Sequence, residues 1–419
     1  MYLQRLIDRN PALLQAAVDL HQSGRIPPST WLIDLDAIAE NARILAAEAR
    51  RLGLTTYVMS KQYCRNPYVN MVAIANGLNQ VVAVDMPGAL QLRRYHIPVG
   101  HMGHLNQIPR HLIADAVAMH PDVITVYNLE HVGWIDEAAR EQDVVQDLLI
   151  RVYAEGDIFF QGQEGGFRAE DVPSAAHAIR TFPNVQLVGV TAFPCIRYNA
   201  SPDDPGVEPT PNLYTILRAA QTLRELGVDV RQINAPGNTS SISMPVLAEL
   251  GATHVEPGHG LLGTTPNHVF LDGLPERPTY TYVSEISHHF DRFAYAYGGG
   301  LFQDIYREGY SAKALVGSSW DSARSNSVRF HHDIKQIIDY HAVLEPGTAC
   351  RVGDTALFGF RTQMQMTRSY VAPVFGVSTG NIEVPFLFDH ANTALDANYD
   401  PVDPLVVRQD IDSRLAVAL

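Results

Sequence analysis

Between residues 54 and 265 the sequence alternates a short apolar run with a helical stretch eight times over. The runs are "LTTYVMSK", "QVVAVDM", "PVGHMGHL", "DVITVYN", "DLLIRVYAEG", "VQLVGVTAF", "DVRQINAPG" and "ATHVEPGHG". They are apolar along both faces, as parallel strands covered on both sides must be. Eight strand–helix units in about 200 to 250 residues make a (β/α)8 TIM barrel. A doubly wound open sheet is the structural rival. It normally carries a glycine fingerprint after its first strand, and no GxGxxG follows "LTTYVMSK".

The chain outside this pattern reads differently. Residues 1–24 read as one or two helices, and "TWLIDLDAIAENARILAAEARRLG" as a short strand and a helix with Asp36 as its N-cap. Past residue 275, runs such as "TYTYVSEIS", "RFAYAYGGGLF", "AKALVGSS" and "ACRVGDTALFGF" are short, β-branched or aromatic, and broken by Gly, Asp and Ser. That pattern predicts an all-β domain. The expected organisation is an N-terminal helical segment (1–28), a barrel domain (29–273) and a C-terminal β domain (274–419), with the boundary in "LDGLPERPTY".

Composition narrows the partners. A formal charge of −14 over 419 residues argues against a nucleic-acid backbone or an anionic membrane surface. Three cysteines (Cys64, Cys195, Cys350) stand far apart with no metal-type CxxC, which fits a reduced setting. The first twenty residues are amphipathic, with charges inside the apolar periodicity, unlike a signal peptide. No run reaches the roughly 18 apolar residues of a membrane helix. A soluble, cytoplasmic protein with a small-molecule substrate is the expectation.

In a TIM barrel, chemistry stands where strands end at the C-terminal rim. The first strand ends in Lys61, the third in His101 and His104, and the seventh and eighth in "NAPGNTSS" and "EPGHGLLG". Loops after strands seven and eight are the usual phosphate site of the fold. Glycine there lets backbone N–H groups approach an anion, and Thr239 or Ser240 can add hydroxyl donors. Two ordinary tight turns are the plain alternative. For Lys61 the plain alternative is a lysine whose head reaches water. Its chemical reading is a desolvated amine able to form a Schiff base. A lysine facing a phosphate cradle is an arrangement that holds pyridoxal phosphate, and Glu256 beside the cradle is placed to pair with a protonated pyridine nitrogen.

From about Thr30 onward the sequence resembles the fold-type III pyridoxal-phosphate enzymes, the alanine racemase-like family. "TWLIDLDAIAENARIL" is similar to that family's entry strand and helix, "PGNTS" to its phosphate turn, and "EPGHGLLG" to its Arg-Pro-Gly-x-x-x-Tyr-Gly segment. "MSKQ", "AVD", "GQEGGF", "EPGH", "YVSEISHHF", "YGGG" and "FRTQMQMTRS" resemble the YhfX-like subgroup more particularly. The resemblance implies pyridoxal 5'-phosphate as cofactor, bound covalently at Lys61. Thr239, Ser240 and the backbone at Gly258 and His259 would hold its phosphate, and Glu256 its ring nitrogen. Tyr297, in "AYGGG", becomes the counterpart of the racemases' second catalytic group, supplied by the partner subunit of a homodimer.

The departures matter for the reaction. Glu256 stands where alanine racemases have arginine, as in the ornithine decarboxylase branch. Ala192 and Glu164 occupy positions where the family places a histidine and an arginine near the ring. "GFRTQMQMTRS" lacks the His-x-Cys metal site of D-threonine aldolases and D-serine dehydratases, so no metal is expected. The His288–His289 and His331–His332 pairs are adjacent, so their side chains diverge. Arg361 and Arg368 are candidates for a substrate carboxylate, and Cys195 reads as a small buried hydrophobe. The resulting expectation is racemisation or epimerisation at Cα by Lys61 and Tyr297 on opposite faces. A lyase or decarboxylase, and a non-catalytic pyridoxal-phosphate-binding protein, are the alternatives.

Overall fold

A computed structural model describes residues 2–199, 206–304, 312–331 and 338–418. Eight strands form a parallel sheet: β1 (Thr55–Met59), β2 (Gln80–Ala83), β3 (Val99–Met102), β4 (Val123–Val126), β5 (Gln146–Tyr153), β6 (Val185–Thr191), β7 (Gln232–Asn234) and β8 (His254–Val255). Each pairs with the next, and β8 returns to β1 through His254–Thr55 and Val255–Thr56, which closes the barrel. Tyr57, Met59, Val82, Val123, Leu149 and Val188 form a separate buried cluster of inward side chains, so the barrel is a packed core and not a pore. The Tyr57 ring needs a glycine opposite it. A Cβ on Gly100 would lie 2.4 Å from that ring.

The C-terminal part is antiparallel, as its strand spacing predicts. Tyr280–Phe290, Phe293–Tyr297, Ala312–Gly317, Ser327–His331, His341–Glu345 and Thr355–Phe358 pair in a closed circuit. The segment is not all β, however: Pro404–Ala418 is a helix. It buries Val407 and Ile411. Its Asp410 accepts a 2.5 Å hydrogen bond from the hydroxyl of Tyr68, on the barrel helix Pro67–Ala75.

The strand Thr30–Asp34, grouped with the barrel by its sequence position, lies in the other sheet. It pairs antiparallel with Tyr280–Phe290 and parallel with Tyr370–Val374. Its Trp31 packs against Tyr280, Tyr282 and Phe360, with ring centroids 5.0–5.5 Å apart. The N-terminal helices Tyr2–Arg9 and Pro11–Gln22 cover the same sheet, packing Leu6, Leu13 and Val18 with Leu32, Val283 and Leu357. A five-residue strand buried on both faces needs apolar cover on each side, and these helices supply one of them. The chain therefore starts in the β domain, makes the barrel and returns.

The helix Leu35–Leu52 is capped by Asp34, not by Asp36. Asp34 ends the strand in an extended conformation, and its Oδ1 accepts from the N–H groups of Asp36 and Ala37 at 3.0 and 3.1 Å. Asp36 instead accepts from the Ser378 hydroxyl at 2.6 Å, tying the helix to the C-terminal segment. Among the described residues no helix is long and apolar enough to cross a membrane.

Candidate active site

A cavity of about 510 Å³ opens at the C-terminal rim of the barrel, with Lys61, Thr239, Glu256, Gly258 and His259 in its wall. Its far side comes from the β domain, through Asp304, Arg361 and Gln363. Barrel closure makes this convergence: β1, β7 and β8 are neighbours, so their C-terminal loops must meet.

β1 ends at Met59, and the chain tightens into the turn Ser60–Tyr63 that carries Lys61. The turn is pinned on both sides. Met59 N–H donates to Pro257 O at 2.9 Å, and the Ser60 hydroxyl donates to Val82 O at 3.1 Å. Burial lowers the Lys61 amine below its ordinary pKa; the Asp304 carboxylate opposes that shift and the Arg361 guanidinium adds to it. The result is an amine more readily uncharged than an exposed one.

The loops after β7 and β8 carry the polar groups and glycines expected of a phosphate cradle. The hydroxyls of Thr239 and Ser240 are buried without a hydrogen-bond partner. Either hydroxyl can donate to an acceptor, but of the two only Thr239 is in the cavity wall; Ser240 is the next residue along the loop and not part of that wall. A Cβ on Gly260 would lie 2.2 Å from Thr239 O, and one on Gly258 would lie 2.7 Å from Gln62 Oε1. The loops after β1, β7 and β8 thus meet at van der Waals distance, and glycine is what lets them. Ser241 is held from beneath: Glu276 accepts from its N–H at 2.8 Å and from its hydroxyl at 2.9 Å. These features fit a phosphorylated cofactor.

Glu256, directly after β8, is 3 % exposed. Its Oε1 accepts from His101 Nδ1 at 2.7 Å and from Asn234 Nδ2 at 2.8 Å, while Oε2 has no partner. Burial works against the charge, yet the hydrogen bonds from His101 and Asn234 help hold the carboxyl below its usual range. His101 also bonds Thr125 Oγ1 at 2.6 Å through Nε2. His101, His104 and Glu256 form the one cluster among the described residues with metal-ligand atom types in reach of one another. Both nitrogens of His101 are already in hydrogen bonds, so the cluster reads as a polar network around a carboxylate.

His259 contributes more than backbone. Its imidazole is pushed down to about 3 by burial and by Arg361, so it is neutral. Nδ1 accepts from the Thr264 hydroxyl at 3.1 Å, and Nε2–H donates to Asp304 Oδ2 at 3.2 Å.

Tyr297 does not join the group. It ends the strand Phe293–Tyr297, 40 % exposed, and is not in the cavity wall of its own chain. The two arginines separate: Arg361 lines the cavity and pairs with Asp304, whereas Arg368 is bound to Asp339 elsewhere. The adjacent histidines diverge, His288 stacking on Tyr295 and His289 meeting the carbonyls of Gly347 and Cys350. His331 pairs with Glu345 at 2.7 Å, and His332 lies outside the described residues. Cys195 is buried, its thiol pushed up by burial. Ala192 is buried at the end of β6 and Glu164 is exposed.

Three groups escaped the sequence reading. Asp304 sits in "GGGLFQD" with no pattern to mark it. His101 was visible as a strand-end histidine, but not as the partner of Glu256. Arg151, inside the apolar run of β5, is 1 % exposed; Nη2 donates to Gln163 O at 2.6 Å and Nη1 contacts the Tyr127 hydroxyl. A charge inside an apolar strand was the available signal.

Comparison with known proteins bears on the same regions. A model of the alanine racemase N-terminal domain matches residues 33–266, and a model of the YhfX-like C-terminal domain matches residues 281–384. The uncharacterized protein YhfX of Escherichia coli (strain K12) is 39% identical over 397 residues, covering 95% of this chain and 100% of that one. Among solved structures, D-threonine aldolase from Filomicrobium marinum aligns with a TM-score of 0.63 at 14% identity, over 87% of this chain and 95% of its own. An alanine racemase of Clostridium difficile 630 aligns with a TM-score of 0.60 at 15% identity, over 87% and 99%. At those identities the structures share a fold. The domain match spanning more than half the residues and the near full-length identity to YhfX carry the assignment further: the chain belongs to the alanine racemase-like, fold-type III family, with a YhfX-like C-terminal domain.

Proposed function

We propose that this chain is a pyridoxal 5'-phosphate enzyme that acts at the Cα of an amino acid, by racemisation or epimerisation. One observation carries the reading: Lys61, the unpartnered hydroxyls of Thr239 and Ser240, and the Glu256 carboxylate converge on one cavity or its lining loops. Thr239, Ser240 and the loop at Gly258 and His259 would hold the phosphate, Glu256 would face the ring nitrogen, and Lys61 would be the residue that attaches the cofactor. When bound, the cofactor draws electrons from Cα and makes its proton acidic.

Lys61 takes the proton from one face of Cα, or in the reverse direction delivers one there, helped by an amine pKa that burial lowers. The opposite face falls to Tyr297 of a second copy. Tyr297 is exposed, and Phe302, Tyr340 and Met366 on the adjoining segments are 39 %, 65 % and 60 % exposed. A homodimer with shared sites would cover these groups and complete the cavity. Two proton-transfer groups on opposite faces of one carbon invert it.

Glu256 favours one further reading. A carboxylate at the ring nitrogen would favour its protonated form, which supports a lyase or decarboxylase as well, and an aldolase shares the fold. A binding protein without turnover is disfavoured by the β domain that carries Tyr297. Incubation with single D- or L-amino acids in deuterated water separates the reactions. Interconverted enantiomers carrying deuterium at Cα are expected. Release of carbon dioxide, ammonia or an aldehyde would replace racemisation with the second reading. The substrate is found by a screen that includes D- and phosphorylated amino acids.

A further inference from the structure

Behind the cavity wall, β3, β4, β7 and the end of β8 supply a chain of buried polar groups. Thr125 Oγ1 meets His101 Nε2 at 2.6 Å, His101 Nδ1 meets Glu256 Oε1 at 2.7 Å, and Asn234 Nδ2 donates to that same oxygen at 2.8 Å. None of the four residues is more than 3 % exposed.

The two oxygens of Glu256 are treated unequally. Oε1 takes two donors, whereas Oε2 takes none although its residue lines the cavity. His104 Nε2 is 3.9 Å from Oε2, beyond hydrogen-bond reach. Its ring is fully buried, held neutral near a pKa of about 3 chiefly by desolvation, and both nitrogens lack partners. An ionised carboxylate accepts and cannot donate, so the His101 nitrogen facing it carries the hydrogen, and the Thr125 hydroxyl holds the ring from its other side through Nε2. A buried carboxylate persists in the charged form only where such donors stabilise it.

We infer that His101, oriented by Thr125, is a positioning residue that keeps Glu256 charged and leaves Oε2 free for the ring N–H of the cofactor. The inference rests on the proposed pyridoxal-phosphate reading. Its consequence is the position of one proton. Between a carboxyl and a pyridine nitrogen in an apolar interior, the uncharged pair competes with the ion pair. Donors on Oε1 favour the ion pair, with the proton on nitrogen. Loss of one charge-assisted hydrogen bond should move that equilibrium by about 10- to 100-fold toward the unprotonated ring.

The experiment reads the proton directly. The purified full chain is loaded with pyridoxal phosphate labelled with 15N in the ring, and the 15N chemical shift is recorded for wild type, His101→Leu, His101→Asn and Thr125→Val. Asparagine places an N–H close to the position of His101 Nδ1, while leucine of similar size has none. A pyridinium shift is expected in wild type and His101→Asn, with a displacement toward free pyridine in His101→Leu. Thr125→Val should move the same way, and it alone decides the question if the leucine variant does not fold. An unchanged shift in the folded variants overturns the inference while leaving cofactor binding intact. Wild-type protein that acquires no visible band dependent on Lys61 overturns the underlying reading instead, and the inference with it.

Discussion

His259 Nε2 lies 3.2 Å from Asp304 Oδ2, so the loop after β8 is hydrogen-bonded to the β domain in the cavity that holds Lys61. Asp304 also pairs with Arg361 and accepts from Gln363 Nε2 at 3.1 Å. Burial works against the Asp304 charge, but the His259 hydrogen bond and Arg361 outweigh it and hold the carboxyl below the usual range. The mouth of the site is therefore built from both domains, and its two opposite charges act on Lys61 with opposite signs.

Those signs give the first prediction. Asp304 raises the Lys61 pKa, so Asp304→Asn should lower it; Arg361 lowers it, so Arg361→Gln should raise it. The pH dependence of pyridoxal-phosphate incorporation, followed by its visible band, measures both. Displacement of the two variants in the same direction would remove the pair from control of Lys61.

Thr239→Ala and Ser240→Ala each remove a hydroxyl that has no protein partner. The unliganded variants should unfold at the wild-type temperature, since no internal hydrogen bond is lost. A hydrogen bond to a charged group contributes about 1.5–3 kcal/mol, so pyridoxal phosphate should bind about 10- to 100-fold more weakly. Pyridoxal, which lacks the phosphate, should bind as before. Absorbance titrations with both ligands check the contrast, and an equal loss for both would place the hydroxyls away from the phosphate.

How much of this arrangement the sequence discloses depends on distance along the chain. The barrel was legible because each unit is local, and strand order follows chain order from β1 to β8. Its topology then delivers Lys61, Thr239 and Glu256 to one rim without further information. Thr30–Asp34 was not legible as part of the other sheet, since its partners at Tyr280–Phe290 and Tyr370–Val374 are hundreds of residues away. Asp304 is similar: its role arises only where the β domain docks on the barrel. The Glu256 network combines residues from three strands and the loop after β8, whose inward positions depend on barrel register. The helix Pro404–Ala418 was the local miss, for Val407 and Ile411 stand one turn apart.

Glu276 makes acid stability informative. It is fully buried and accepts from the Ser241 N–H and hydroxyl and, at 3.2 Å, from His268 Nε2. Burial raises its pKa, but the His268 and Ser241 donors bring the net value below the ordinary 4.5. A carboxyl whose folded pKa is depressed stabilises the fold above its unfolded value and loses that contribution as pH falls through the folded value. Glu276→Gln should therefore cost about 1.5–3 kcal/mol in urea unfolding at pH 7. The gap between variant and wild type should narrow as pH drops below about 4. A gap independent of pH would mean that shape, and not charge, is what Glu276 supplies beneath the Ser241 turn.

The shared-site reading makes a prediction that a single chain cannot imitate. Lys61 lines the cavity, and Tyr297 stands outside it on an exposed strand end. If Tyr297 serves the partner's barrel, Lys61→Ala and Tyr297→Phe damage different halves of each site. Each homodimer is then inactive, because both of its sites lack one group. Mixed after dissociation and reassociation, the two variants form hybrids in which one site carries both defects and the other carries neither. About half of the dimers are hybrids at equal mixing, and each has one of two sites intact, so about a quarter of wild-type activity should return. If Tyr297 instead served its own chain, every hybrid site would lack one group and mixing would restore nothing. The assay needs only separately purified variants, the substrate found by screening, and a sizing column to confirm the dimer.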